Sequence, residues 1–277
     1  MNLDNISQEN SEFWNELCGT GLAKSLGITE ITPENIAIFD KAYFDLYPYL
    51  KQYVANENLK AKKVLEIGLG YGTLGGLLAS YDCNYFGLDI AKNPVDMMAY
   101  RLSMTGRNNP EQVKVGSALN IPYQDESFDF VYSIGCLHHT GDLAKSISEV
   151  YRVLAPNGKA IIMLYHKNSF RQLVQVPFRY LKTLFSKDNK VSRYDNFAQF
   201  VRSLYDPNSK GEAAPHTDYV SKQDVYKLFK EFSSVKIDVQ NFDTYVLFNG
   251  KIIVNRENLF NNIARFVGLD LYILATK

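Results

Sequence analysis

Two carboxylates and a run of alternating glycines carry most of the chemistry legible in this sequence. Glu66 is followed by Gly68, Gly70 and Gly72, and Asp89 closes the next short apolar run. Glycines at that spacing leave the backbone bare where a small molecule must come close. An acid at the end of the second run can accept from two ribose hydroxyls, although it can equally cap the helix that begins near Asn93-Pro94. Four histidines add groups that titrate near neutrality: His138 and His139 side by side, His166, and His216 close to Tyr219. His139 is the first candidate for a general base if a hydroxyl must lose its proton, with His216 and Tyr219 behind it. His138 reads either as a contact beside a bound ligand or as a loop-stabilising hydrogen bond, and His166 as structural. Cys136-x-His138-His139 holds metal-ligating types, but adjacent histidines point apart and no second pair completes a ligand set, so no metal is expected. Cys136 lacks a placed base and reads as a small buried thiol.

These groups need a scaffold, and the apolar runs supply one. Val64, Leu65 and Ile67 form a strand of the kind buried on both faces of a parallel sheet. The glycines then feed a helix over Thr73–Ala79, whose first N–H groups favour an anionic ligand group. Further strands are predicted over residues 84–90, 112–116, 127–135 and 160–165, then 235–239 and 271–275. In an open α/β sheet, ligands sit outside the carboxyl ends of the strands, so the loops after the first four strands converge on one crevice. Gly70-x-Gly72-x-x-Gly75 also fits the dinucleotide fingerprint, yet Gly68 already ends the strand and Glu66 precedes it. That reading implies an oxidoreductase and stays as an alternative, beside a ligand-binding module of the same fold without turnover.

The ordered set resembles the class I S-adenosylmethionine-dependent methyltransferases, in the branch acting on small molecules, quinones, lipids and saccharides. It runs from Lys62 to Tyr165 through Glu66-x-Gly68-x-Gly70-x-Gly72, Gly87-x-Asp89, Gly116-Ser117-Ala118, Phe128-Asp129-Phe130-Val131, Leu137-His138-His139 and the stretch Tyr151 to Lys159. The resemblance implies a Rossmann-like α/β fold with seven strands in the order 3-2-1-4-5-7-6, the last antiparallel. It implies that Glu66, Gly68, Gly70 and Gly72 hold the methionine end of the cofactor, and that Asp89 with Ile90 meets the ribose. Ser117 and Ala118 would meet the adenine edge, and Ser133 and His138 would stand beside the cofactor. At Ser117 the family usually has an acid, so the adenine contact here departs from the pattern. The implied function is methyl transfer from S-adenosylmethionine, leaving S-adenosylhomocysteine, to oxygen or nitrogen of a saccharide, lipid precursor or secondary metabolite.

Length and composition fit one catalytic domain with additions. The chain has 277 residues and zero formal net charge, so the overall field gives no argument for nucleic-acid binding. Cys18, Cys83 and Cys136 are odd in number and far apart, which reads as reduced cytoplasmic thiols. The polar start, Met1 to Asn10, has no signal-peptide core, and no apolar run is long enough to span a membrane. Residues 1–60 form a predicted helical lid: Phe13, Trp14, Leu17, Leu22 and Leu26 at helical spacing, then Thr32-Pro33 opening a helix with Tyr43 and Tyr47. Residues 61–277 form the methyltransferase domain, with an inserted cap over about 167–215. No acid occurs from Tyr151 to Lys187, whereas Arg171, Arg179, Lys182 and Lys187 interleave with Phe178, Leu181 and Phe185. This basic amphipathic stretch reads as a solvated face, as a cap admitting an anionic acceptor, or as a peripheral contact with a lipid headgroup layer. Asp206 to Gly211, Ser209 included, reads as a turn. Oligomeric state leaves no signature.

Overall fold

The computed structural model describes residues 3–16, 21–106, 109–184, 196–208, 210–247 and 251–277. Leu17, Cys18, Phe185, Lys187 and Ser209 lie outside the described residues. The main sheet has seven strands: β1 (Lys63–Ile67), β2 (Asn84–Asp89), β3 (Val113–Val115), β4 (Phe128–Ile134), β5 (Leu154–Tyr165), β6 (Ser234–Gln240) and β9 (Asp270–Thr276). Their spatial order is β3-β2-β1-β4-β5-β9-β6. Strands β1 to β5 pair in parallel, and β9 runs antiparallel between β5 and β6. This is the expected 3-2-1-4-5-7-6 order, its seventh strand being β9. A separate antiparallel hairpin, β7 (Tyr245–Leu247) with β8 (Ile252–Val254), intervenes in sequence and was not foreseen.

Alternate residues of the same strands feed two apolar clusters, one on each face of the sheet. Val64, Tyr132, Ile161 and Tyr272 belong to one, which helices α4 (Gln52–Ala55), α5 (Thr73–Ala79) and α6 (Lys92–Met104) help to cover. Leu65, Val131, Ile162 and Ile273 belong to the other, covered by α7 (Leu143–Val153) and α10 (Lys222–Leu228). The capping box read from Ser221 and Asp224 does open α10, with both reciprocal hydrogen bonds formed. No helix among the described residues is long and apolar enough to cross a membrane.

The N-terminal residues form α1 (Leu3–Trp14), α2 (Gly21–Ser25) and α3 (Pro33–Leu46), the last capped by Thr32, which accepts from the Asn35 N–H. An ion pair to α6 and a hydrogen bond to α5 tie helix α3 to the layer that covers the sheet. Asp40 accepts from Arg101 Nη1 and Nη2 at 2.9 and 2.8 Å, and from the Thr73 hydroxyl at 2.7 Å. Arg101 is only 5% exposed, so removing its partner strands a desolvated guanidinium. Asp40→Ala is expected to cost about 3 kcal/mol, read as a lower urea midpoint. An unchanged midpoint would mean that α3 is held by apolar packing alone.

The region after β5 carries a five-residue π turn (Arg171–Gln175), α8 (Val176–Leu184) and α9 (Phe197–Ser203). Its first arginine is not free. Asp243 holds Arg171 through Nε at 3.1 Å and Nη2 at 2.5 Å, and the guanidinium lies 4.5 Å from the centre of the Tyr205 ring. Upstream, Arg152 pairs with Glu149 and Asp125, and Lys159 with Glu57. Arg171 is thus spent on the fold, against the expectation that it receives an anion.

Candidate active site

The glycine bend lies between β1 and α5 and is fixed from the next strand. Asp89 Oδ2 accepts from the Leu69 N–H at 2.7 Å, and Oδ1 from the Ala91 N–H at 2.9 Å. One carboxylate therefore holds both loops that leave β1 and β2. Glu66, at the end of β1, is buried and accepts from the Tyr85 hydroxyl at 2.5 Å. Two cavities meet at this bend and share Gly68, Gly70 and Ile134. The first, about 210 Å³, is lined by Asp89, Ile90, Ser117 and Ala118, with Trp14 and His139 at its rim. The second, about 670 Å³, is lined by Glu66, Asp206, Tyr43, Tyr47, Tyr71 and Tyr205, among others. Helix α1 lies across the first: Ser7, Asn10 and Trp14 line it, and Asn10 donates to the His139 carbonyl at 2.7 Å.

Of the residues singled out in the sequence, Glu66, Gly68, Gly70, Asp89, Ile90, Ser117, Ala118 and His139 line one or both cavities. Others do not. Gly72 caps α5, and a side chain there would meet Arg101 and Met98. The Ser133 hydroxyl points into the sheet and donates to the Ile67 carbonyl at 2.9 Å. His138 is fully buried between the rings of His139 and Tyr165, at 4.2 and 4.1 Å. Burial pushes its pKa well below the ordinary histidine value, so it stays neutral packing. The His216 ring stands 3.1 Å from Asp218, and only its carbonyl reaches the site, as the partner of His139 Nδ1 at 2.7 Å. Tyr219 packs its ring 5.1 Å from that of Tyr205, outside both linings. His166 Nδ1 meets the Gly268 carbonyl at 2.9 Å, a structural bond.

The His139 contact decides its tautomer. A ring nitrogen facing a carbonyl must carry the proton, so Nδ1 is N–H and Nε2 keeps the lone pair. Nε2 is 3.7 Å from Asp206 Oδ2. Burial lowers the pKa of His139 while Asp206 opposes, and burial raises that of Asp206 while His139 and the Tyr165 hydroxyl oppose. The two groups therefore compete for one proton. The Tyr165 hydroxyl donates to Asp206 at 2.9 Å and orients it. Asp206 is the site residue that sequence reading missed; Tyr-Asp-Pro-Asn is turn chemistry, and nothing local announces a partner on another loop. Burial pushes the Cys136 thiol up to about 12, so it carries no thiolate near neutrality.

Residues 65–162 match the family described as a methyltransferase domain. Norajmaline N-methyltransferase of Rauvolfia serpentina is 34% identical over 111 residues, which cover 39% of this chain and 38% of that enzyme. Over those residues this chain is similar to methyltransferases. Demethylmenaquinone methyltransferase of Geobacillus sp. (strain WCH70) is 26% identical over 189 residues, 66% of this chain and 75% of that enzyme. A solved S-adenosylmethionine-dependent methyltransferase from Methanosarcina mazei shares the fold with a TM-score of 0.52 and 18% identity, covering 81% of this chain and 96% of that one. The chain spans less than half the length of the first curated relatives it matches.

The family and fold imply S-adenosylmethionine as cofactor, and the methyltransferase domain fits it. A Cβ at Gly70 would meet nothing within 4 Å, so the bend faces open space on the side where both cavities join. The first cavity is apolar apart from a few polar groups such as Asp89, as a nucleoside slot requires. Ser117 departs: its hydroxyl oxygen already accepts from the Leu119 N–H at 3.1 Å, which weakens it as an acceptor for the adenine amine. Glu66 adds a pH signature. Burial raises its pKa to about 8 against the pull of the Tyr85 hydroxyl, so below that pH the free protein holds it protonated. A cationic ligand group favours the ionised form, and binding then releases a proton. S-adenosylhomocysteine is expected to bind more tightly as pH rises from 6 to 8, by at most about tenfold per unit. Calorimetry should find Glu66→Gln flat over this range; an equally steep profile in that variant would detach Glu66 from the ligand.

Proposed function

We propose that this chain transfers the methyl group of S-adenosylmethionine to nitrogen or oxygen of a small or medium-sized acceptor. The observation that carries this reading is the pair of cavities joined at Gly68 and Gly70. One offers a carboxylate in an apolar slot for a nucleoside, and the other offers room for a second molecule against the same bend. The relatives named above are a norajmaline N-methyltransferase and a demethylmenaquinone methyltransferase, which supports a small-molecule acceptor. Bound there, the cofactor supplies an activated methyl on sulfur, so the protein's task is mostly alignment and exclusion of water. Asp89 binds the ribose hydroxyls, Ser117 and Ala118 flank the base, and Glu66 receives the methionine ammonium. Trp14 and α1 close the first cavity as a lid. His139 with Asp206 takes the acceptor's proton, because Nε2 bears a lone pair and the carboxylate stands at the rim of the second cavity.

Thermal unfolding tests this directly. A ligand at a hundredfold excess over its Kd stabilises by about 2.7 kcal/mol, a rise of roughly 5 °C or more for a domain of this size. S-adenosylhomocysteine is expected to give that rise, and NAD and NADP none. A rise with NAD in place of S-adenosylhomocysteine would transfer the glycine bend to a dinucleotide.

A further inference from the structure

The π turn and α8 run on as one rod that is apolar on two sides, and packing within the fold accounts for only one of them. On the inner side Val176 is buried with Phe200 and Val201, and Tyr180 rests on the same cluster. On the outer side Val174, Phe178 and Leu181 recur at i, i+4 and i+7, which makes a single stripe along the rod. Phe178 is 67% exposed and Leu181 53%. The apolar surface continues at the start of the rod, where Leu173 lines a groove together with Phe266, itself 77% exposed. A surface helix of a globular domain is ordinarily polar on the side it turns to water. Contiguous exposed apolar side chains of this kind mark a contact surface.

Charge beside the stripe selects what covers it. Arg179 and Lys182 are exposed on the same helix and form no ion pair among the described residues. Lys222 lines the groove that joins Leu173 to Phe266. No acid occurs in the sequence from Tyr151 to Lys187 to offset these bases. A second copy of this chain, related by a two-fold axis through the stripe, would set Arg179 and Lys182 against their own equivalents, a like-charge contact. An anionic lipid surface satisfies both features, because the apolar side chains enter the headgroup boundary while the bases stay among the phosphates. We propose that this face, the outer side of the rod with Phe266, docks on a lipid layer carrying anionic headgroups. Docking belongs to the outer surface and does not depend on what the cavities hold. It also gives the second cavity a location: Arg171, at the start of the rod, lies over the Tyr205 ring that lines that cavity. A docked rod therefore holds the cavity wall within roughly one helix diameter of the headgroups.

Flotation of the full chain with unilamellar vesicles tests this face. Vesicles of phosphatidylcholine mixed with phosphatidylglycerol are expected to bind the protein about tenfold or more tightly than phosphatidylcholine alone, at roughly fivefold per base. High salt should release it. Arg179→Glu combined with Lys182→Glu should erase the preference for phosphatidylglycerol. Phe178→Ser combined with Leu181→Ser should weaken binding to the mixed vesicles about tenfold or more. Ile38→Ser, which removes an exposed apolar side chain from α3, should change nothing. All these positions are exposed, so melting temperature and calorimetric affinity for S-adenosylhomocysteine should match the unmutated protein, and a loss of lipid binding is then not a loss of fold. Absence of flotation with either vesicle, equal flotation with both, or unaltered binding by the double serine variant overturns the lipid face. A concentration-dependent dimer in light scattering that the double serine variant abolishes would overturn it as well and assign the stripe to a second copy.

Discussion

Gly68→Ala will leave no folded domain to assay, while Gly70→Ala, two positions on, will fold and fail to bind cofactor. Both glycines hold positive φ, +84° and +51°, and line both cavities, so sequence alone gives them equal weight. Their surroundings differ. A Cβ on Gly68 would stand 2.4 Å from Cys136 Cβ and 2.7 Å from its sulfur, and the loop after β4 cannot retreat without unpacking the buried Leu137. That overlap joins the cost of a left-handed alanine, about 1–2 kcal/mol, in a loss expected to exceed about 4 kcal/mol. At Gly70 only the backbone term applies, because the added carbon enters open space. That space is where the ligand must pass between the cavities, so affinity for S-adenosylhomocysteine should fall at least a hundredfold. Circular dichroism and urea titration measure the first effect and calorimetry the second. Gly68→Ala combined with Cys136→Gly should recover part of the fold, which a purely conformational penalty would not allow. Normal binding by Gly70→Ala would place the ligand away from the bend.

What the sequence disclosed follows from where its signals are local. Strands buried on both faces are continuous apolar runs, so β1, β2 and β4 could be read directly. The caps at Thr32 and Ser221 lie within a few residues of the helices they open. Face assignment failed for Ser133 for the same reason the strand was easy to find: β4 is buried on both sides, leaving no alternation to show that its hydroxyl turns to Ile67. Arg171 and Asp206 were misread because their partners lie far along the chain. Asp243 is 72 residues beyond Arg171, and the Tyr165 hydroxyl 41 residues before Asp206. A basic run and a turn-like tetrapeptide are fair local descriptions of both, and only the tertiary fold turns one into a buried pair and the other into a site acid. The hairpin of β7 and β8 was missed because strands of three residues with Ile252 and Ile253 exposed carry almost no periodic signal.

Asp89→Ala is expected to remove cofactor binding for two separable reasons. The carboxylate accepts from two backbone N–H groups, and it is the group proposed to meet the ribose. Truncation strands the Leu69 and Ala91 donors away from water, each costing about 1–3 kcal/mol, so the glycine bend loosens even without ligand. Two charge-assisted bonds to ribose hydroxyls, at about 1.5–3 kcal/mol each, make the binding loss a hundredfold or more. Asp89→Asn separates the two contributions. Its amide oxygen can serve one backbone donor while its NH₂ confronts the other, so stability should fall between wild type and alanine. Affinity should fall nearly as far as in alanine, because the charge is gone. The ionised form is also what binding needs, and burial holds the pKa of Asp89 up to about 6 against the pull of the backbone N–H groups around it. Affinity for S-adenosylhomocysteine should therefore drop again as pH falls below 6, below the step assigned to Glu66, and Asp89→Asn should lose that lower step alone. An alanine variant that binds within threefold of wild type would remove the ribose from Asp89. The acid would then serve the backbone only, as the clamp that shapes the bend.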